Sequence, residues 1–190
     1  MEYRILSSID YKKTKWSGGT TTELFIYPEQ SEFKSGEYDF RLSIATVEIE
    51  ETTFTKLEEV TRTLMILDGQ ITLSHDGHHE SRLKKFESDQ FSGDWTTKGR
   101  GTCTDFNLMT KNQTSGKLTP IINKKFTSLK LNPLHQFTFL YLLKGLVNTR
   151  IEDHEFQINQ GDLLMVQSPI DTSISLSSDA SSELIRVDIK

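Results

Sequence analysis

Apolar and polar residues alternate with a period of two along much of this chain. Phe40, Leu42 and Ile44 alternate with Arg41, Ser43 and Ala45. Arg62, Leu64 and Ile66 alternate with Thr63, Met65 and Leu67, and Phe106 and Leu108 with Asp105, Asn107 and Met109. Ile185, Val187 and Ile189 alternate with Arg186, Asp188 and Lys190 at the C-terminus. This spacing over short segments predicts β-strands. Turn chemistry separates them, at Gly18-Gly19, Ser35-Gly36, Asp68-Gly69, Asp76-Gly77, Ser92-Gly93, Lys144-Gly145 and Gly161-Asp162. Asp76-Gly77 predicts a two-residue hairpin. No long window has a 3.6-residue period, and residues 7–13 hold a short helical turn at most. The pattern predicts an all-β protein.

An internal echo refines this. Shifting the chain by 76 residues lays 64–73 (LMILDGQITL) on 140–149 (LYLLKGLVNT), so that Gly69 meets Gly145, Leu67 meets Leu143 and Ile71 meets Val147. Each copy is followed by a Gly-Asp step, Gly93-Asp94 and Gly161-Asp162. Strand, glycine turn, strand, hairpin and Gly-Asp is the plan of a small antiparallel barrel. Two related barrels are predicted, over 1–110 and 111–190, packed as one compact unit. The polar stretch 111–120, punctuated by Gly116 and Pro120, is predicted to connect them.

Residue usage agrees. Ala45 and Ala180 are the only alanines, against 19 Ser and 22 Thr, and threonine's branched Cβ favours strands. The 190 residues are 35% hydrophobic and 26% charged, enough for a packed core. The net charge of −5 gives no general attraction for phosphate backbones, so nucleic acid is not an expected partner. The longest apolar run, 137–143, is far short of the roughly 20 residues that span a bilayer. The N-terminal residues lack the apolar core of a secretory signal, and the single Cys103 leaves no internal disulfide. These features predict a soluble cytoplasmic protein.

The chemistry is sparse. A His-x-His pair on one strand face would signal a metal, but His78 and His79 are adjacent, His75 and His78 flank a turn, and His135 and His154 stand alone. No bound metal and no cofactor are expected, and all five histidines read as surface polar residues. Cys103 has no base nearby in sequence and reads as buried or edge-placed. Gly18-Gly19-Thr20 reads as a tight turn, with anion contact through backbone amides as the alternative. Trp16 and Trp95 read as core or rim residues. The run Arg82, Lys84, Lys85 reads as a solvated face.

The polar faces of two strands need more explanation. If Phe40, Leu42, Ile44, Phe106 and Leu108 form the packed side, then Arg41, Ser43, Asp105 and Asn107 line a barrel lumen. Buried charges must be paired or bind a ligand. An arginine fork with Ser and Asn suits a small carboxylate. A purely structural Arg41–Asp105 salt bridge fits the pattern equally well.

The motifs WSGGTTTE (16–23), FRLSIATV (40–47), the Phe54 region, Arg62 with LMILDG (64–69), FSGD (91–94) and DFNLM (105–109) occur together and in order. In this the chain resembles the HutD/Ves family of bicupin proteins, linked to histidine utilisation and to environmental stress response. Ser17 stands where that family's motif usually carries an Asn before the Gly-Gly pair. The resemblance implies two RmlC-like double-stranded β-helix jelly rolls, metal-free, with a pocket for a small carboxylate such as N-formylglutamate. It implies an accessory or regulatory role, with no established catalysis. By position, Trp16, Thr20, Glu23, Arg41, Ser43, Arg62, Asp105 and Asn107 become the pocket residues, with Asp94 beside them. A metal-free hydrolase or isomerase using Glu23 or Asp105 as general base is the enzymatic alternative. A structural protein that pairs as a homodimer is the third.

Overall fold

The structure, a computed structural model, describes residues 1–190. Eighteen strands carry the fold, and one 3₁₀ turn, Phe33–Ser35, is the only helical element. They are β1 (Glu2–Leu6), β2 (Lys12–Trp16), β3 (Gly19–Tyr27), β4 (Phe40–Val47), β5 (Glu51–Thr53), β6 (Thr61–His75), β7 (Glu80–Lys84), β8 (Ser88–Ser92) and β9 (Thr97–Arg100). Then follow β10 (Cys103–Thr110), β11 (Gly116–Asn123), β12 (Phe126–Lys130), β13 (Phe137–Lys144), β14 (Leu146–Ile151), β15 (His154–Asn159), β16 (Leu163–Gln167), β17 (Ser173–Ser177) and β18 (Ser182–Ile189). No helix is long and apolar enough to cross a membrane.

The chain divides into two compact units, 11–114 and 1–10 with 115–190. In the second unit one sheet runs β1-β16-β13-β18-β11 and the other β12-β17-β14-β15. In the unit 11–114, strand β6 is long enough to serve both layers. Its first half pairs with β8 and β10, and beyond β10 lie β4, β3 and β2; its second half pairs with β7 and β9, and β9 pairs with β5. The order β16-β13-β18-β11 thus has its counterpart in β8-β6-β10-β4. Gly69 and Gly145, matched in the sequence echo, both have left-handed backbones, φ +76° and +97°, but Gly69 lies inside the continuous strand β6, whereas Gly145 separates β13 from β14.

Three sequence expectations change. Residues 1–10 belong with 115–190 rather than with the unit that follows them, because β1 pairs with β16 from Glu2↔Gln167 to Leu6↔Leu163. The stretch 111–120 is not all connection: Pro120 lies inside β11, an edge strand, where a missing N–H breaks no ladder. The hairpin at Asp76-Gly77 has a four-residue loop, closed by the His75 N–H on the His79 carbonyl at 2.9 Å.

Each unit has an apolar cluster between its sheets. In the second unit Leu140, Leu142, Leu164, Val166 and Leu184 meet Val147, Ile151, Ile158, Ile174 and Leu176, all buried. In the unit 11–114, Leu64 and Ile66 meet Ile71, Leu73, Leu83, Phe91 and Cys103. A second cluster there joins Ile26, Tyr38, Val60 and Met109, with Phe33 and Leu57 against it. Between these two clusters the interior is open.

Candidate functional site

A cavity of about 530 Å³ opens inside the unit 11–114. The period of two builds its wall. Arg41, Ser43, Ala45 and Val47 of β4 line it, as do Asp105, Asn107 and Met109 of β10 and Thr21 and Glu23 of β3. Phe40, Leu42, Phe106 and Leu108 take the opposite face and are buried. Along β10, Asp105 and Asn107 sit between Cys103 of one apolar cluster and Met109 of the other. The polar groups therefore occupy a band with hydrocarbon at both ends.

Seven of the eight sequence-selected residues line this cavity: Trp16, Glu23, Arg41, Ser43, Arg62, Asp105 and Asn107. Thr20 does not. It alternates with Thr21 and Glu23 on β3, so a one-residue step turns it to the other face. Asp94 does not line it either and instead accepts the Ser92 hydroxyl at 2.9 Å. Trp16 stands at the rim, 38% exposed. Its ring lies over Gly18, where a Cβ would come within 2.1 Å of Trp16 Cζ3.

The Gly-Gly pair serves close packing. A Cβ on Gly19 would sit 1.8 Å from the Thr46 carbonyl oxygen, and its φ of +154° is one that side chains rarely adopt.

The charges are arranged differently from the expected Arg41–Asp105 pair. Arg41 donates from Nε to Glu23 Oε2 at 2.7 Å and from Nη1 to Ser43 Oγ at 3.2 Å, and its guanidinium lies 4.2 Å from the centre of the Phe33 ring. Glu23 faces Ser43 across the β3–β4 ladder, and a bulge between Glu23 and Phe25 then shifts the register. Asp105 instead accepts from Asn107 Nδ2 and from the Cys103 thiol, the latter at 3.8 Å.

Arg62 is the cation nearest to unmet demand. It is 7% exposed, makes no ion pair, and donates one long bond from Nη1 to the Thr55 carbonyl at 3.4 Å. Its buried Nε has no partner, and neither has Asn107 Oδ1. Phe54 and Phe91 lie 5.0 and 5.3 Å from its guanidinium. Met109 pairs with Arg41 on one side and Arg62 on the other. The two arginines thus leave the same row of the sheet from strands about 10 Å apart.

Burial sets the protonation states. It pushes Asp105 up to about 7, against the stabilising pull of Asn107, Arg62 and Cys103. It lowers Arg62 to about 10, which still leaves that guanidinium charged at neutral pH. It raises the Cys103 thiol to about 12, so Cys103 is no nucleophile. At pH 7 Glu23 offsets Arg41 while Asp105 offsets Arg62 only in part. The cavity keeps a positive excess around Arg62.

Several lining residues carry no sequence signal. Phe33 sits on the 3₁₀ turn and Thr55 in a loop, where no periodicity applies; Phe54, in the same loop, is marked only by the family motif. Lys12 and Lys34 also line the cavity. The histidine reading needs correction as well. His75 is 3% exposed, and His75 and His79 converge on Asp89. The hairpin loop folds back over β8, which strand parity alone does not reveal.

The HutD family model matches residues 8–185. No curated protein matches the chain in sequence. A conserved protein of unknown function from Pseudomonas aeruginosa has a similar structure, with TM-score 0.86, 21% identity and 100% of both chains covered. HutD from Pseudomonas fluorescens, solved in a formate condition, gives TM-score 0.74 at 19% identity, again over 100% of both. The oxalate decarboxylase of Lactobacillus farciminis, a formate complex, gives 0.66 at 9% identity over 97% of this chain and 85% of that one. These likenesses support a cupin-like, all-β fold.

Proposed function

Because the chain belongs to the HutD family, we propose that it is a two-barrel cupin whose cavity binds a small carboxylate, in a cytoplasmic accessory or regulatory role in histidine utilisation. The observation that carries this reading is Arg62, a buried guanidinium without an ion pair beside a cavity of about 530 Å³. Such a group is costly in isolation and favourable once an anion fills its fork. Arg41, steered by Glu23, keeps donors that a second carboxylate can use. A dicarboxylate suits two cations on one sheet row. N-formylglutamate adds an N–H for the unpartnered Asn107 Oδ1. Two solved relatives in fold were studied with formate, which is consistent with a carboxylate ligand here.

A metal-free enzyme is the second reading, favoured by one observation. A cavity carboxyl raised to about 7 is matched to proton transfer at neutral pH. Glu23, held by Arg41, is the less suited base. A thermal-shift series with N-formylglutamate, glutarate and formate tests binding, and chromatography of the same mixtures tests turnover. Saturable stabilisation with intact acid supports the binding protein, and consumption of the acid supports the enzyme. No stabilisation by any acid removes the carboxylate reading.

A further inference from the structure

A second cluster lies in the same unit among residues that do not line the cavity. His75 ends β6, His79 closes the following loop and Asp89 lies on β8. His75 Nε2 is 3.0 Å from Asp89 Oδ2, and His79 Nε2 is 3.0 and 3.2 Å from the two Asp89 oxygens. One donor atom from each of the three residues lies within 4.8 Å of the others. We propose that His75, His79 and Asp89 form a binding site for a divalent transition-metal ion of the zinc class.

The spacing fits. Nitrogen and oxygen ligands sit roughly 2.0–2.2 Å from zinc, so neighbouring ligand atoms of a tetrahedral site stand about 3.3–3.6 Å apart. The His–Asp separations of 3.0 and 3.2 Å fall just short of that range, so an ion that replaces the shared protons enters with small outward side-chain adjustments. The ligand set fits too, because two imidazoles and a carboxylate suit zinc, cobalt, nickel or copper better than magnesium or calcium.

The surroundings hold the ligands in place. His75 Nδ1 is 2.8 Å from the Thr97 hydroxyl, a contact that fixes the ring with Nε2 toward Asp89. Ser81 bonds Asp89. Phe91 packs on His75 with ring centres 4.5 Å apart, and Trp95 stands 5.6 Å from His75 and 5.8 Å from His79. One side therefore excludes water. The other is open, since the His79 side chain is 41% exposed. Three protein ligands leave a coordination position for water or for a ligand from solution.

Trp95 makes the test local. In the untagged full chain carrying Trp16→Phe, Trp95 is the only indole. After chelator treatment, Co²⁺ is titrated while Trp95 fluorescence is followed. Saturable one-to-one quenching, reversed by excess EDTA and competed by Zn²⁺, is the expected result. His79→Ala changes an exposed side chain and should weaken Co²⁺ binding about tenfold or more, as should Asp89→Asn. Zinc retained after dialysis, measured by elemental analysis, should fall from one equivalent to a small fraction in both variants. Absence of saturable quenching below millimolar Co²⁺, or a His79→Ala variant that binds as the parent does, overturns the proposal. The three residues are then a hydrogen-bonded brace only.

Discussion

Glu23 accepts the Nε–H of Arg41 at 2.7 Å. This pairing leaves Asp105 to Asn107 and Cys103, and leaves Arg62 without a direct counter-ion. The cavity is thus divided into a neutralised cation and an exposed demand for negative charge.

Removing the charge of Glu23 tests that division. Glu23→Gln should lower stability by about 1.5–3 kcal/mol, the range for a hydrogen bond to a charged group. Formate or glutarate should restore part of the loss, so the anion-dependent rise in Tm should exceed that of the parent. Urea unfolding with and without the anion measures both effects.

Asp105 should give stability a distinct pH signature. Its folded value near 7 lies above the ordinary 3.8. The folded state therefore holds this proton more tightly than the unfolded chain does. Its contribution is most favourable below about 4 and is lost as pH rises toward 7. Relative to Asp105→Asn, the parent should lose stability between pH 4 and 7 and run parallel above 7. Urea midpoints across that range provide the comparison.

The same group predicts how binding responds to pH. A bound carboxylate favours protonated Asp105, so binding should take up a proton near pH 7. Affinity for glutarate should fall by up to about tenfold per pH unit above 7. Asp105→Asn should flatten that dependence. Titrations at pH 6 and pH 8.5 in buffers of matched ionic strength resolve it.

Gly19→Ala tests the packing that holds β3 against β4. The added methyl would meet the Thr46 carbonyl at 1.8 Å, and backbone has little room to yield. A loss of about 3 kcal/mol is expected, the upper end for overpacking. Gly36→Ala is the comparison, because a Cβ there meets nothing within 4 Å and only the positive φ of 74° opposes it.

Much of this cavity could be read from alternation alone. Arg41 and Ser43, and Asp105 and Asn107, share faces because each pair is two residues apart on one strand. The partner of Arg41 is not legible, since the β3–β4 register that sets Glu23 opposite Ser43 is a long-range pairing that alternation within one strand does not specify. Thr20 shows the opposite case: the family motif includes it, but the strand period turns it away from the cavity. Residues 1–10 give a weak pattern, with Glu2, Arg4 and Ile5 exposed, so nothing in them announces the pairing with β16. In sequence His75 reads as solvated, because the residues that cover it, Phe91 and Trp95, arrive from later in the chain.

The two arginines carry the central claim, and calorimetric titration of N-formylglutamate tests them most directly. The parent should bind one equivalent. Arg41→Gln and Arg62→Gln should each weaken binding by roughly 10- to 150-fold, the equivalent of a charged hydrogen bond. Variants that bind as tightly as the parent, or a parent that gives no binding heat with this acid, glutarate or formate, would contradict the account.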